Sequence, residues 1–294
     1  MRFTITTDGS VMSDLMNDPF VQSSVLPLLL GLLAVGALRL IGGRVGRLWA
    51  SGGIALAFLA LFILVIGLPA FPPPSSMGKL FWSVAVGLLP GLAADALSLR
   101  GRAASALVGG WLLLALVWIA WPGLDSARAF VTLAVLAAVG LWASFACSLS
   151  GTDKTTAPAA VLLALALSVG VTALIGSSAS IAQLGLALTA ATGGFLLWNW
   201  PTERHVWGVS GRVALVLPLL IAAVLTLFTQ AESATLLLAL PALAAESLRR
   251  RLPIGEGRFA PALATVVVTI LAVIPALVAI AAAYLLSGGE ASPY

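Results

Sequence analysis

The sequence predicts an all-α, polytopic integral membrane protein with about ten transmembrane helices, and three observations predict it. Of the 294 residues, 61% are apolar and only 9% charged, and the mean hydropathy is +1.11. A soluble domain carries about 25% charged residues, so this chain lacks the polar side chains to cover a water-facing surface. Apolar runs follow one another along the whole length, most of them near the roughly 20 residues that a spanning helix needs. These runs are continuous rather than alternating, which excludes a β-barrel. Backbone amides in hydrocarbon must pair within their own segment, so the runs are helices. A soluble enzyme, a large extramembrane domain and a nucleic-acid binder are excluded by the same arithmetic. The isoelectric point near 10 rests on a net charge of only +4, spread in short clusters of the kind that orient helices in membranes.

The elements follow in order. Residues 1–19 hold Asp8, Asp14 and Asp18 where a signal peptide has a basic region, so they read as a short extracytoplasmic segment that is not cleaved. The first run covers 20–41 and the second 48–69. Phe71-Pro72-Pro73-Pro74-Ser75 then makes a stiff turn. The third run, 80–99, holds Pro90 between Gly87 and Gly91, with Asp95 about one turn from its end. Runs four (103–121) and five (129–149) carry Trp111 and Trp142 near mid-span. An indole N–H in hydrocarbon needs a partner, so both rings are expected to face other helices. Run six covers 157–176. Run seven, 181–200, contains Gly193-Gly194, a packing contact or a hinge. The polar connection Glu203-Arg204-His205 leads to run eight, 212–230. Run nine, 234–249, is short and holds Pro241 and Glu246. Run ten, 260–286, is long enough to tilt, and 287–294 forms a short extracytoplasmic tail.

Charge sets the orientation. Connections 1–2, 3–4, 5–6, 7–8 and 9–10, with their helix ends, carry Arg39, Arg44, Arg47, Arg100, Arg102, Lys154, Arg204, Arg212, Arg249, Arg250, Arg251 and Arg258. The other face has only Arg2, Lys79 and Arg128. Cytoplasmic loops hold the Lys/Arg excess, so both termini are expected outside the cytoplasm, in a bacterial inner membrane.

Residues 89–100, LPGLAADALSLR, echo residues 240–251, LPALAAESLRRR, with Pro90 matching Pro241, Arg100 matching Arg251 and Asp95 opposite Glu246. Both segments run the same way through the membrane. The echo raises a parallel repeat within the single domain 20–286: a first copy over 20–121, linker helices over 129–176 and a second copy over 181–286. Transporters are often built from such repeats; the rival division is an inverted five-plus-five repeat.

Ionisable residues inside spans are functional candidates because they are costly there. Asp95 and Glu246 both sit near the negative end of a helix dipole, which calls for compensation. Glu246 has Arg249 and Arg250 at i+3 and i+4. Asp95 has no such neighbour and is expected to pair with another helix. Two carboxylates close together would make a proton-linked site; the alternative, preferred here, is two helix-end charges that fix packing. Pro90 and Pro241 read as kinks or as breaks beside a binding site. Gly87 and Gly91 allow close helix approach. His205, the only histidine, cannot build a metal site with other histidines. A solvated turn is preferred over a proton shuttle for Glu203 and His205.

No phosphate loop, nucleophile elbow or metal motif occurs, so no enzyme, no cofactor and no metal is expected. The expected function is a permease for small solutes. The available polar lining, Ser83, Ser144, Ser168, Thr172, Gln183, Thr189, Thr192, Thr265 and Thr269, suits an apolar or weakly polar substrate. The alternative is a non-catalytic membrane subunit of a larger complex. The expected partners are the lipid bilayer and either other membrane subunits or a second copy of the chain, without nucleic acid.

Overall fold

Prolines stand at the first turns of several helices, where the missing N–H costs nothing and the fixed φ suits a helix start: Pro27, Pro158, Pro218 and Pro261. Ser75 caps another, its hydroxyl accepting the Gly78 backbone N–H at 3.1 Å. A computed structural model describes residues 21–124, 126–149, 156–229, 231–253 and 259–287, with ten helical segments and no strand among them. The expectations for residues 1–19 and 288–294, and those for Lys154 and Arg258, lie outside the described residues.

The ten segments follow the ten apolar runs to within a few residues. They are α1 (Leu26–Ile41, entered through a π turn at Val21–Val25), α2 (Gly46–Val65), α3 (Ser76–Ala96), α4 (Gly101–Ala120) and α5 (Ala127–Leu149). After them come α6 (Ala157–Ile175), α7 (Ala179–Trp198), α8 (Val209–Phe228), α9 (233–249) and α10 (Ala260–Leu286). Eight are long and apolar enough to cross a membrane; α1, at 16 residues, and α9 are the exceptions. Ser233–Ala244 of α9 is a 3-10 helix, followed by one α turn at Ala245–Arg249. A 3-10 helix rises about 2.0 Å per residue against 1.5 Å for an α-helix. The 17 residues therefore reach about 31 Å, close to the hydrocarbon thickness.

The helix α8 is the centre of the bundle: 83% of its apolar window is buried, against 22% for α5 and 28% for α10 at the periphery. Small residues let the surrounding helices approach. A Cβ on Gly170 of α6 would stand 2.8 Å from the Leu186 backbone N of α7, and one on Gly185 would stand 2.6 Å from Gly170 Cα. On the other side of α7, a Cβ on Gly194 would meet Leu32 N of α1 at 2.8 Å. Gly194 is thus a packing contact. In lipid, where apolar helix surfaces gain nothing by leaving water, such close contact is a principal source of helix association.

The connections sort into two ends. At the arginine-rich end, Arg47 Nε donates to the Arg204 carbonyl at 3.0 Å and Val206 N–H to the Arg47 carbonyl at 3.0 Å. The end of α3 reaches the start of α8 through Asp95, and the Glu203 carboxylate accepts the Thr156 backbone N–H at the start of α6. At the opposite end, Gly176 abuts Ala231 and Gly123 approaches Phe228. Among the described residues, every arginine at a connection or helix end except Arg128 thus lies at one end, as charge counting predicts.

Candidate functional site

The start of α8 is buried, so its first backbone N–H groups need acceptors that water cannot supply. Two other helices provide them. Gly208 N–H donates to Ser51 Oγ of α2 at 3.0 Å. Val209 N–H donates to Asp95 Oδ1 at 2.6 Å, and Ser210 N–H to Asp95 Oδ2 at 3.0 Å. The Ser210 hydroxyl donates to the same carboxylate. Asp95 of α3 is therefore the cap of α8, supplied from another helix, and its negative charge meets the positive end of the α8 dipole. Small residues make this reach sterically open. A Cβ on Gly208 would stand 2.6 Å from both Asp95 oxygens, and one on Gly91 would stand 3.0 Å from Ser210 Cα.

Two turns into α8 the helix is interrupted for one residue at Val216, which stays in the right-handed helical region ahead of Pro218. The α segments Val209–Leu215 and Leu217–Phe228 are separated at Val216, with Pro218 in the first turn of the second half. One cavity lies beside each half. Around the first half, at the arginine-rich end, a cavity of about 630 Å³ is lined by Arg44, Arg47, Arg100, Arg212, Asp95 and Glu203, with His205 and Trp207. Beside the second half, about 290 Å³ is enclosed by α5, α6, α8 and α9. Its walls include Val135, Leu136, Val169, Leu219 and Ala222, with Arg128, Ser168 and Glu232 the notable polar groups. A third space, an apolar groove between α1, α7 and α10, has Thr265 and Thr269 among its lining.

Arg212 is 2% exposed and donates to Ser105 Oγ at 3.2 Å; Ser105 in turn donates to the Ser144 carbonyl at 2.8 Å. The sequence treats Arg212 as a flanking charge of the eighth run. In the structure it lies inside α8 and ties α8 to α4 and, through Ser105, to α5. The structure starts α8 three residues before Arg212, among Gly208-Val209-Ser210-Gly211, which carries the arginine into the bundle.

The other sequence candidates fall as follows. Glu246 is 8% exposed and pairs within its own helix end: Arg249 Nε and Nη2 contact Oε2 and Oε1 at 2.7 and 2.8 Å, and Arg250 Nε reaches Oε1 at 2.8 Å. Asp95 and Glu246 thus serve different partners and form no carboxylate pair. Their surroundings differ despite the sequence echo: α3 packs on the first half of α8, whereas α9 packs on α10 and α6. Pro90 sits inside a continuous α-helix and Pro241 within the 3-10 segment, so the interruption at a cavity is in α8 instead. Gly87 lies under the Trp111 indole, whose Nε1 donates to the Ser83 carbonyl at 3.0 Å. Trp111 faces α3 as expected, but Trp142 is 53% exposed on the outside of the bundle.

In the polar connection, Glu203 and Arg204 are exposed. His205 is not solvated, contrary to expectation. It is 8% exposed, wedged beside Trp198 with ring centroids 5.7 Å apart and Phe195 at 6.4 Å, and its backbone N–H donates to Asn199 Oδ1 at 2.8 Å. Burial, with the charges of Arg39, Arg47 and Arg204 adding to it, pushes the His205 imidazole down to about 4, so it is neutral at physiological pH. Several expected lining hydroxyls are turned inward on their own helices: Ser144, Thr189 and Thr192 donate to carbonyls one turn back at 2.7–2.9 Å. Among the described residues no three His, Cys, Asp or Glu side chains gather as a metal site.

Neither protein-family models nor curated proteins match this sequence.

Proposed function

We propose that this membrane protein is a permease for small, apolar or weakly polar solutes, in a bacterial inner membrane with its arginine-rich end in the cytoplasm. The observation that carries the reading is the one-residue interruption of α8 at Val216, ahead of Pro218, with a cavity beside each half. Transporters use discontinuous helices at the meeting point of two access routes. The second-half cavity is apolar apart from a few polar groups, which suits the proposed solutes. The orientation follows from the basic connections. With Asp95 and Glu246 both engaged in structural hydrogen bonds, the reading is a facilitator that needs neither carboxylate as a proton carrier. It performs no covalent chemistry.

A membrane-embedded, non-catalytic subunit is the second reading. It is favoured by the uncovered surfaces of α5 and α10, on which Trp142, Phe130, Ile270 and Ile274 are exposed. One experiment separates the two. Cys147, the single cysteine, is replaced by Ser, and Ala222→Cys is introduced in the second-half cavity. A membrane-impermeant maleimide is then applied to vesicles of each orientation. A permease alternates access, so the introduced thiol is expected to label from both faces. Labelling from one face only, or from neither, refutes the permease and leaves the subunit.

A further inference from the structure

We propose that the cavity at the arginine-rich end is a binding site for a phosphate-class oxyanion, assembled from Arg44, Arg100, His205 and Trp207. The walls supply cationic and N–H donor groups in excess of acceptors. Arg44, Arg47, Arg100 and Arg212 stand against Asp95 and Glu203. Both Asp95 oxygens are taken by the α8 N-terminus, and Glu203 accepts the Thr156 N–H. Among the described residues, Arg44 and Arg100 enter no ion pair. His205 is 8% exposed and Trp207 1% exposed, and both line the cavity. Neither imidazole nitrogen nor the Trp207 Nε1 has a hydrogen-bond partner; all three are sealed just behind the cavity wall, so an anion held by Arg44 and Arg100 reaches them through a small shift of that wall.

Buried N–H groups are almost always satisfied, and one left without an acceptor is costly. An oxyanion supplies several acceptors at once. It also brings a negative charge to Arg44 and Arg100, and its oxygens match the guanidinium fork. The cavity volume of about 630 Å³ leaves room for a phosphate with an attached group. The site lies at the end of the bundle where lipid headgroups would sit, so a free phosphate compound and a lipid phosphodiester present the same chemistry to it. The inference does not depend on solute movement: a permease and a subunit would both hold the anion.

The test is a binding measurement on the full chain. Thermal stability is followed in a neutral maltoside detergent as inorganic phosphate is added, against sodium chloride at equal ionic strength. It is followed in parallel in phosphatidylcholine nanodiscs with and without phosphatidylglycerol. The double variant Arg44→Gln/Arg100→Gln changes two exposed side chains and should fold as the parent does. His205→Phe is a second variant that keeps the ring packing against Trp198 and Phe195 while removing both nitrogens. Saturable stabilisation by phosphate, weakened about tenfold or more in either variant, is the expected result. Stabilisation that appears only with phosphatidylglycerol, and is lost in the variants, also supports the site and assigns it to a lipid headgroup. No saturable response in either arm, an equal response to chloride, or unchanged affinity in both variants overturns the proposal.

Discussion

Asp95 and Glu246 occupy matching places in two similar stretches of sequence, yet their chemistry diverges at the level of single hydrogen bonds. Asp95 holds the buried start of α8 from another helix. Glu246 holds two arginines of its own turn, one of which, Arg250, has a side chain 48% exposed. Truncating Asp95 strands buried N–H donors, each costing about 1–3 kcal/mol. Glu246 is buried, but Arg249 and Arg250 are partly exposed and reach water once freed, so losing the pair costs closer to the about 0–1 kcal/mol of an exposed ion pair than to that of a fully buried one. Asp95→Ala is therefore expected to lower stability in detergent by about 2 kcal/mol or more, and Glu246→Ala by less. Asp95→Asn should recover only part of the loss, because its single amide oxygen can replace one of the two accepting oxygens while its NH2 meets an N–H donor. Thermal unfolding of the three variants checks the order, and a Glu246→Ala more damaging than Asp95→Ala refutes it.

His205 adds a pH-dependent contribution at the same scale. Its folded-state value of about 4 lies below the ordinary 6.5. The unfolded chain thus binds the proton more readily, so the stabilising contribution is complete above pH 6.5 and is lost as pH falls toward 4. The loss is at most about 3 kcal/mol. Stability of the parent minus that of His205→Phe, measured from about pH 7.5 to about pH 4.5, should fall in that window. A flat difference would show that the imidazole is not held neutral.

At the scale of elements, backbone-to-backbone contact decides where helices sit. The crossing of α6 and α7 places Gly170 on Gly185 with no room for a methyl group. Gly170→Val should push backbone against backbone and cost about 1–3 kcal/mol or more. Gly110 of α4 meets nothing within 4 Å, so Gly110→Ala should be neutral or slightly stabilising through helix propensity. The pair, compared by thermal unfolding, separates close packing from a general intolerance of glycine replacement. The tall, narrow 3-10 path of α9 shows a second element-level effect. Seventeen residues cover a span that an α-helix of that length would not, because fewer residues per turn lengthen the rise.

Across the whole molecule, α8 is the axis: it is the most enclosed span, it is interrupted at Val216, and two cavities lie against it. The sorting of connections into an arginine-rich and an arginine-poor end gives a topology that can be measured. Alkaline phosphatase, active only outside the cytoplasm, is expected to be active when fused after Ser177 and inactive when fused after Arg204. The reverse pattern would invert the orientation of the bundle.

The helical membrane fold, the positions of nearly all ten segments and the clustering of basic connections at one end were legible in the residues. Hydrocarbon allows only internally bonded backbone, and turns and charges are excluded from it. These are local constraints, written in composition and spacing, and they remain true whatever a helix packs against. Pro218 marks the interruption of α8 locally, but the partners of Asp95, the burial of His205 and Arg212 and the outward face of Trp142 were not legible. Each depends on which helix faces which across long stretches of chain, as between Asp95 and Val209, 114 residues apart. In a chain of Ala, Leu and Gly, many helix faces are nearly equivalent in hydropathy, so periodicity selects no neighbour. That choice belongs to tertiary packing, where glycine contacts and the need to satisfy the buried start of α8 admit one arrangement.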